Sequence, residues 1–405
     1  MRAFFVYRPL RLQIQNKCSI ISSMEALLKL TENSREMVIE PDSIRECRPR
    51  INGQDAAHGL PITEVAKSSG GRMKILKTML TTACERDCHY CPFRAGRHTK
   101  RATFKPDELA GIYDRVHKSG AVEGLFLSSG IIKGGVATQD RLLDTAEILR
   151  KKYNYRGYMH LKVMPGIEKD QLVRAMELGS RVSINLEAPN PERLQKLAPK
   201  KQFFEELLAP LVWAHEIRQT LNPRKSWNGR WASTVTQFVV GAVGETDLEL
   251  VSISEKLYQQ FGLTRAYYST FNPVPDTPFE DLPAEDEKRK VALYQTSFLL
   301  RDYGFSMEEL PFNPDGNLPR GLDPKLAWAR HNLANTPVEI NRASREELLR
   351  IPGIGLKGAE RILSARRQRR LHTLTQLKQL GIRPNRAAAF VLLDGRRPAY
   401  QPALI

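Results

Sequence analysis

The chain has 405 residues, enough for one large catalytic-size domain and a smaller one, each with its own core. Its apolar fraction of 41% comes without any run of about 18 apolar residues, which excludes an integral helical membrane protein, and its five cysteines, three of them clustered, exclude a spread disulfide framework and fit a reducing cytoplasm. The formal net charge of +17 favours a polyanionic partner such as nucleic acid.

The first 23 residues carry four basic and no acidic residues but no continuous apolar segment, so they do not read as a secretory signal, and Met24 is the expected start. A short helix is expected at 25–30, in an N-terminal extension that runs to residue 72. The segment 73–82 (MKILKTMLTT) then reads as a strand running into the cysteines. Further strand-like runs follow at 123–128, 157–164, 181–187, 233–241 and 264–271. Amphipathic stretches separate them, at 106–119, 139–152, 168–178, 191–197 continuing through 203–220, and 247–261. In the first, Pro106 opens the helix, Leu109, Ile112, Tyr113 and Val116 form the apolar face, and Gly120 follows the end. Six strands alternating with helices predict a parallel α/β sheet, either a closed or open barrel or a doubly wound sheet.

Pro-rich stretches at 273–283 and 311–324, with one helix between them, mark a boundary, and 313–336 is expected as a linker. From residue 337 on there is no strand pattern, only short helices and tight turns. Here RIPGIGLKGAERIL (350–363) recurs approximately as QLGIRPNRAAAFVL (379–392), which predicts paired helical hairpins. Between 341 and 397 there are 14 Lys+Arg and 4 Asp+Glu, so this short segment carries +10 of the net charge.

Three thiols at C-x3-C-x2-C spacing, Cys84, Cys88 and Cys91, can converge on one centre. A structural zinc needs a closed set of four ligands, with His89 or His98 as the fourth, but no second, distant cysteine pair completes a ribbon or finger. A four-iron four-sulfur cluster held by three cysteines keeps one iron open to an exchangeable ligand, which implies chemistry.

C-x3-C-x-aromatic-C, with Tyr90 before the last cysteine, resembles the signature of the radical S-adenosylmethionine enzymes. That resemblance implies a 4Fe-4S cluster on Cys84, Cys88 and Cys91, with S-adenosylmethionine (SAM) on the open iron. It further implies reductive cleavage of SAM to a 5'-deoxyadenosyl radical, and an external one-electron donor of the flavodoxin or ferredoxin type. The implied fold over 73–312 is a partial (β/α)6 TIM-type barrel with its active site at the C-terminal strand ends. By the same resemblance, Ser128, Ser129 and Gly130 stand where a Gly-Gly-Glu-type motif contacts the methionine amino group. Ser183, Asn185 and Glu187, which alternation places on one face of their strand, would contact ribose and carboxylate. Gly241, Gly244 and Glu245 resemble the adenine-side motif. His160, Lys162, Tyr268, Thr270 and Asn272 are candidates for substrate contact, and Arg94, Arg97, Lys100 and Arg101 form a basic run beside the cysteines. No side chain stands out as a catalytic acid or base.

The segment 337–405 resembles tandem helix-hairpin-helix DNA-binding modules, which makes the second expected domain small and all-α. Gly353, Ile354 and Gly355 form the turn, and Lys357 and Arg361 supply cations toward a phosphodiester backbone. Arg383 replaces the second glycine in the other copy, which is therefore expected to be structural. SINLEAPNPERLQKLAP and RAYYSTFNPVPDTP look like those of a radical SAM subgroup described in DNA modification and repair. The expectation is a cytoplasmic radical SAM enzyme acting on DNA. The alternatives are a radical SAM enzyme for RNA or a small metabolite, with the hairpins as tether, and a non-catalytic zinc-stabilised DNA-binding scaffold.

Overall fold

A computed structural model describes residues 29–30, 62–67 and 70–399. Of the helix expected at 25–30, Lys29 and Leu30 are described and helical; the remainder, and the start expected at Met24, lie outside the described residues.

The sheet has seven strands whose spatial order is their chain order: β1 (Ile62–Ala66), β2 (Arg72–Met79), β3 (Gly124–Ser128), β4 (Tyr158–Lys162), β5 (Arg181–Ser183), β6 (Ser233–Val240) and β7 (Arg265–Thr270). The six from β2 to β7 run parallel and curl as an open half-barrel, as the alternation predicts. β1 is an addition: it pairs antiparallel with β2 from within the expected N-terminal extension. Five residues joined by a short turn carry too little periodicity to announce a strand.

Helices α1 (Pro106–Lys118), α2 (Gly134–Lys151), α3 (Lys169–Leu178), α4 (Pro191–Leu197), α5 (Ala209–Thr220), α6 (Asp247–Phe261) and α7 (Glu287–Tyr303) connect and cover the strands. Their ends are locally encoded. In α1, Pro106 needs no amide partner at the first position, and Glu108 accepts the Lys105 N–H at 3.1 Å. In α6, the Thr246 hydroxyl accepts the Glu249 amide at 3.1 Å and Gly262 closes the helix at φ 60°. The helix expected over 203–220 is instead a six-residue π-helical turn, Phe203–Leu208, running into α5.

β5 is shorter than the expected 181–187. Glu187 adopts φ +64°, a left-handed conformation that breaks the two-residue alternation, and a single bridge to Phe238 resumes the pairing there. Such conformations in a non-glycine residue cost free energy and concentrate at functional sites.

The C-terminal unit has its own apolar core, including Ile340, Leu348, Leu349, Ile351, Ile354 and Ile362. It contains α8 (Pro324–Asn332), α9 (Arg345–Arg350), α10 (Leu356–Gln368), α11 (Leu374–Gln379) and α12 (Pro384–Ala387), giving the two helix-turn-helix copies that the repeat implies. It is not all-α: β8 (Val338–Glu339) and β9 (Val391–Leu392) pair in parallel. The segment expected as a linker is also structured. Leu318 belongs to the barrel core, with its amide held by Asp247 at 2.9 Å, and α8 carries Ala329 into the second core.

The two units meet at the first hairpin turn. Lys325, on α8, is buried and donates from Nζ to the Ile354 carbonyl at 2.6 Å, over the ring of Tyr303. Burial drives its pKa down to about 7, Arg386 and Arg350 add to the lowering, and Asp323 opposes it. In the unfolded chain this lysine holds its proton to about pH 10.4. Between these values the unfolded state binds more protons, so the contribution of Lys325 to stability rises with pH. Urea unfolding followed from pH 6.5 to 9.5 is expected to show this rise as an increase with pH in the stability of wild type relative to Lys325→Met.

Candidate active site

The cysteine loop leaves the C-terminal end of β2, and the residues between the cysteines fix its path. Glu85 accepts the amides of Lys133 and Gly134, both at 3.0 Å, and so caps α2 from another segment. Arg86 binds Glu206 at 2.6 Å and also donates to the Lys200 carbonyl. The His89 amide bonds to the Leu197 carbonyl at 2.9 Å, while the His89 ring packs edge-on to Phe279. Neither His89 nor His98, whose amide donates to Asp276, is among the residues that line the cavity with the cysteines.

Gly130, at the end of β3, lies against the start of the loop: a Cβ here would stand 2.2 Å from the Ala83 carbonyl oxygen and 3.2 Å from the Cys84 Cβ. Gly130→Ala is therefore expected to cost about 1–3 kcal/mol of stability through overpacking and to lower the iron retained per chain. Denaturation and iron analysis of the same preparation check both.

Cys84, Cys88 and Cys91 are free thiols on the wall of a cavity of about 240 Å³ at the C-terminal strand ends. The Ile131 amide points at the Cys84 Sγ, 3.4 Å away. Burial pushes the Cys91 thiol up to about 12 and also raises Cys88, and each neighbouring sulfur adds to the effect. Against it works Lys201, the positive charge that favours both thiolates. Among the described residues, no group of three His, Cys, Asp or Glu is arranged to hold a single metal ion. A cluster that offers a separate iron to each thiolate needs no such convergence.

Opposite the cysteines, Lys201 Nζ and Glu187 Oε1 form an ion pair at 3.0 Å with both side chains 8% exposed. Tyr90 stands on the same wall, where its hydroxyl helps to favour the Glu187 carboxylate. Burial alone would raise the Glu187 carboxyl, but Lys201, Lys162 and the Tyr90 hydroxyl hold it below its ordinary range. Sequence reasoning missed Lys201, because α4 and a turn separate it from Glu187 and no motif marks it.

The sequence-predicted residues divide into two groups. Tyr90, Ser128, Ser129, Gly130, Asn185 and Glu187 line the cavity together with the cysteines. The Asn185 amide donates to Gln237 at 3.2 Å, while its Oδ1 is buried without a hydrogen-bond partner. Ser183 is buried outside the wall, also with an unpartnered Oγ. Gly241, Gly244 and Glu245 do not reach the cavity either. Glu245 turns back on its own loop, accepting the Gly241 amide at 2.5 Å and the Val243 amide at 3.3 Å, with Arg289 3.4 Å away.

Of the substrate-contact candidates, Lys162, Thr270 and Asn272 line the cavity, while Tyr268 is core and its hydroxyl meets Ser254 at 2.9 Å. The basic run after the cysteines is not a free cationic edge. Arg101 gives hydrogen bonds to the carbonyls of Thr82, Phe93, Arg94 and Arg97, and Arg97 to those of Pro92 and Pro275.

The donor set fits a cluster and a polar cofactor. It comprises three thiols on one anchored loop, a cation beside them, and the unpartnered amide oxygen of Asn185 on the same wall.

In the C-terminal unit, Gly353 has φ +86°, and a Cβ there would lie 2.8 Å from the Arg383 carbonyl oxygen, so the two hairpin turns pack on each other. Gly353, Ile354 and Gly355 open onto a cleft shared with Tyr303, Lys325, Arg383 and Arg386. Lys357 is exposed, and Arg361 is exposed while donating to the Leu380 carbonyl at 3.1 Å.

Residues 78–255 match the family model described as Radical SAM superfamily. No curated protein matches the chain in sequence. Solved structures of similar fold include the FeFe-hydrogenase maturase HydG from Carboxydothermus hydrogenoformans, with TM-score 0.44, 15% identity, and coverage of 56% of this chain and 50% of that one. Methylornithine synthase (PylB) gives TM-score 0.44 and 14% identity, covering 56% and 61%. Coproporphyrinogen III oxidase (HemN) from Escherichia coli gives 0.36 and 17%, covering 64% and 58%. The chain thus spans between half and about three fifths of the length of these proteins. No helix among the described residues is long and apolar enough to cross a membrane. The match spans the cysteine loop and most of the parallel strands, so over residues 78–255 the chain is similar to the radical SAM superfamily, whose members use a 4Fe-4S cluster and S-adenosylmethionine.

Proposed function

We propose that the protein is a radical SAM enzyme acting on DNA, with the half-barrel as its catalytic unit and the C-terminal helical unit as its DNA-binding module. When bound, the cluster and SAM supply a 5'-deoxyadenosyl radical for hydrogen abstraction. Cys84, Cys88 and Cys91 would hold the cluster, and Lys201 favours the thiolate forms of Cys88 and Cys91. Ser128, Ser129, Gly130, Asn185, Glu187 and Tyr90 form the wall that SAM would meet.

The observation that carries the DNA reading is the cationic surface of α10 and its C-terminal cap, where Lys357, Arg361 and Arg367 on the helix and Arg369 just beyond it are all exposed, in a segment with +10 net charge. Such a surface neutralises backbone phosphates without reading sequence. One observation favours the alternative in which the hairpins only tether. Gly355 of the first turn packs against the Tyr303 hydroxyl of α7, so part of the turn is directed toward the barrel.

Release of 5'-deoxyadenosine with duplex DNA, single-stranded DNA, transfer RNA and no nucleic acid separates the readings. Stimulation by DNA that falls steeply with salt supports the proposal. Equal rates in all four arms would refute it.

A further inference from the structure

We infer that the loop 221–232, between α5 and β6, is a second contact surface for the phosphodiester backbone of DNA, at the end of the half-barrel away from the cysteines. This rests on reading the protein as DNA-binding and names a surface of the half-barrel itself that takes part.

The loop reads LNPRKSWNGRWA, with three cations, Arg224, Lys225 and Arg230, and no acidic residue. All three are exposed, and among the described residues none is in an ion pair. Glu177, on α3 beside the loop, meets it through its backbone carbonyl, which accepts the Trp227 amide at 3.0 Å.

The loop is also locked in shape. The Asn222 side chain accepts the Arg224 amide at 3.0 Å, and the Asn228 side chain accepts the Arg230 amide at 3.1 Å, so each arginine leaves from a turn closed by an asparagine. Between them the Trp227 indole donates to the Gly179 carbonyl at 3.1 Å, and the Arg150 guanidinium stacks 3.7 Å from its ring centre. Ser226 is buried and donates its hydroxyl to the Pro223 carbonyl at 2.8 Å. A solvated charge run needs no such fixing. Cations carried on a preordered backbone lose less freedom when they meet a ligand, and three of them without a carboxylate among them suit a partner of dense, regular negative charge.

Strand direction places the loop relative to the helical unit. It leads into the first residue of β6, so it lies at the N-terminal strand ends, opposite the cysteine loop. At that same end the Thr264 amide donates to the Thr234 carbonyl at 2.9 Å, and Arg301 donates to the Thr264 carbonyl at 2.9 Å. There α7 ends at Tyr303, whose hydroxyl would stand 3.3 Å from a Cβ on Gly355 of the first hairpin turn. The loop and the helical unit thus share one end of the half-barrel, away from the cavity mouth.

Anisotropy titrations of a labelled DNA duplex with the reconstituted full chain, over a series of potassium chloride concentrations, test this. Each phosphate contact contributes about 0.9 to the slope of log affinity against log salt. Arg224→Gln/Lys225→Gln/Arg230→Gln is therefore expected to flatten the wild-type slope by about 2–3, and Arg230→Gln alone by about 1. The side chains are exposed and the closing hydrogen bonds use their amides, so these substitutions leave the loop intact. Lys105→Gln/Lys169→Gln/Lys288→Gln removes the same charge from exposed lysines at the cavity end, where α1, α3 and α7 begin, and is expected to leave the slope unchanged. A wild-type slope in the loop variant, or equal flattening in the lysine control, overturns the inference and leaves the DNA reading standing. Wild type that binds no duplex at any salt refutes the DNA reading, and the inference with it.

Discussion

Replacing Cys88 by alanine is expected to abolish SAM cleavage and reduce bound iron to near zero while the half-barrel stays folded. Cys88 is the most buried of the three thiols, at 7% exposed, and lies between the other two in the chain. Its loop is held at Glu85, Arg86 and His89 by contacts that do not involve the sulfur. The substitution therefore removes a cluster ligand without releasing the loop. With two thiolates left, more than one iron would lack a protein ligand, and the cluster would not persist. Iron analysis together with circular dichroism checks this. Full iron retention in Cys88→Ala would remove the cysteine from the ligand set.

The second large effect is expected from Lys201→Met. It leaves the Glu187 carboxylate buried with only the Tyr90 hydroxyl and the more distant Lys162 to face it. Breaking one partner of such a pair costs about 3–5 kcal/mol, which for a domain of this size lowers the melting temperature by roughly 6–20 °C. The double variant Lys201→Met/Glu187→Gln is expected to recover part of that loss, because the stranded charge is gone. The pH dependence has a definite sign. The folded-state pKa of Glu187 is depressed, so its stabilising contribution is complete above the unfolded carboxylate value of about 4.3 and is lost as pH falls through the folded value. Lys201→Met should therefore flatten the acid limb of the stability profile below about pH 4.3. It should also weaken cluster retention, since the charge that favours the Cys88 and Cys91 thiolates is removed.

These two positions mark what sequence could and could not reveal. The cysteines are legible because all three lie in one loop, where their spacing announces that they come together, as they do on the cavity wall. The parallel strands and their helices are legible from periodicity, and the ends of the first helix from Pro106 and Gly120. The face of β5 is only partly so. Alternation groups Ser183, Asn185 and Glu187, but the left-handed backbone at Glu187 ends the strand register, so Asn185 and Glu187 reach the cavity and Ser183 does not. Lys201 arrives by tertiary contact alone. Glu245 shows the opposite failure: a motif-like carboxylate is consumed by its own turn. The basic run after Cys91 looks like an open cationic edge in sequence, yet Arg97 and Arg101 bind backbone carbonyls within and beside the loop.

The same contrast governs the C-terminal unit. The repeat predicts two hairpins, and two are present, but how the first turn sits against Lys325 and Tyr303 depends on contacts across more than 20 residues. The short β8–β9 pair escaped detection because two residues per strand leave no pattern.

Whether the three cysteines hold a redox-active cluster that leaves one iron open to SAM is decided by anaerobic reconstitution with iron and sulfide, followed by dithionite and SAM. The expected result is roughly four irons per chain and reductant-dependent release of 5'-deoxyadenosine. Stoichiometric zinc without iron, and no 5'-deoxyadenosine from a folded chain, would contradict it.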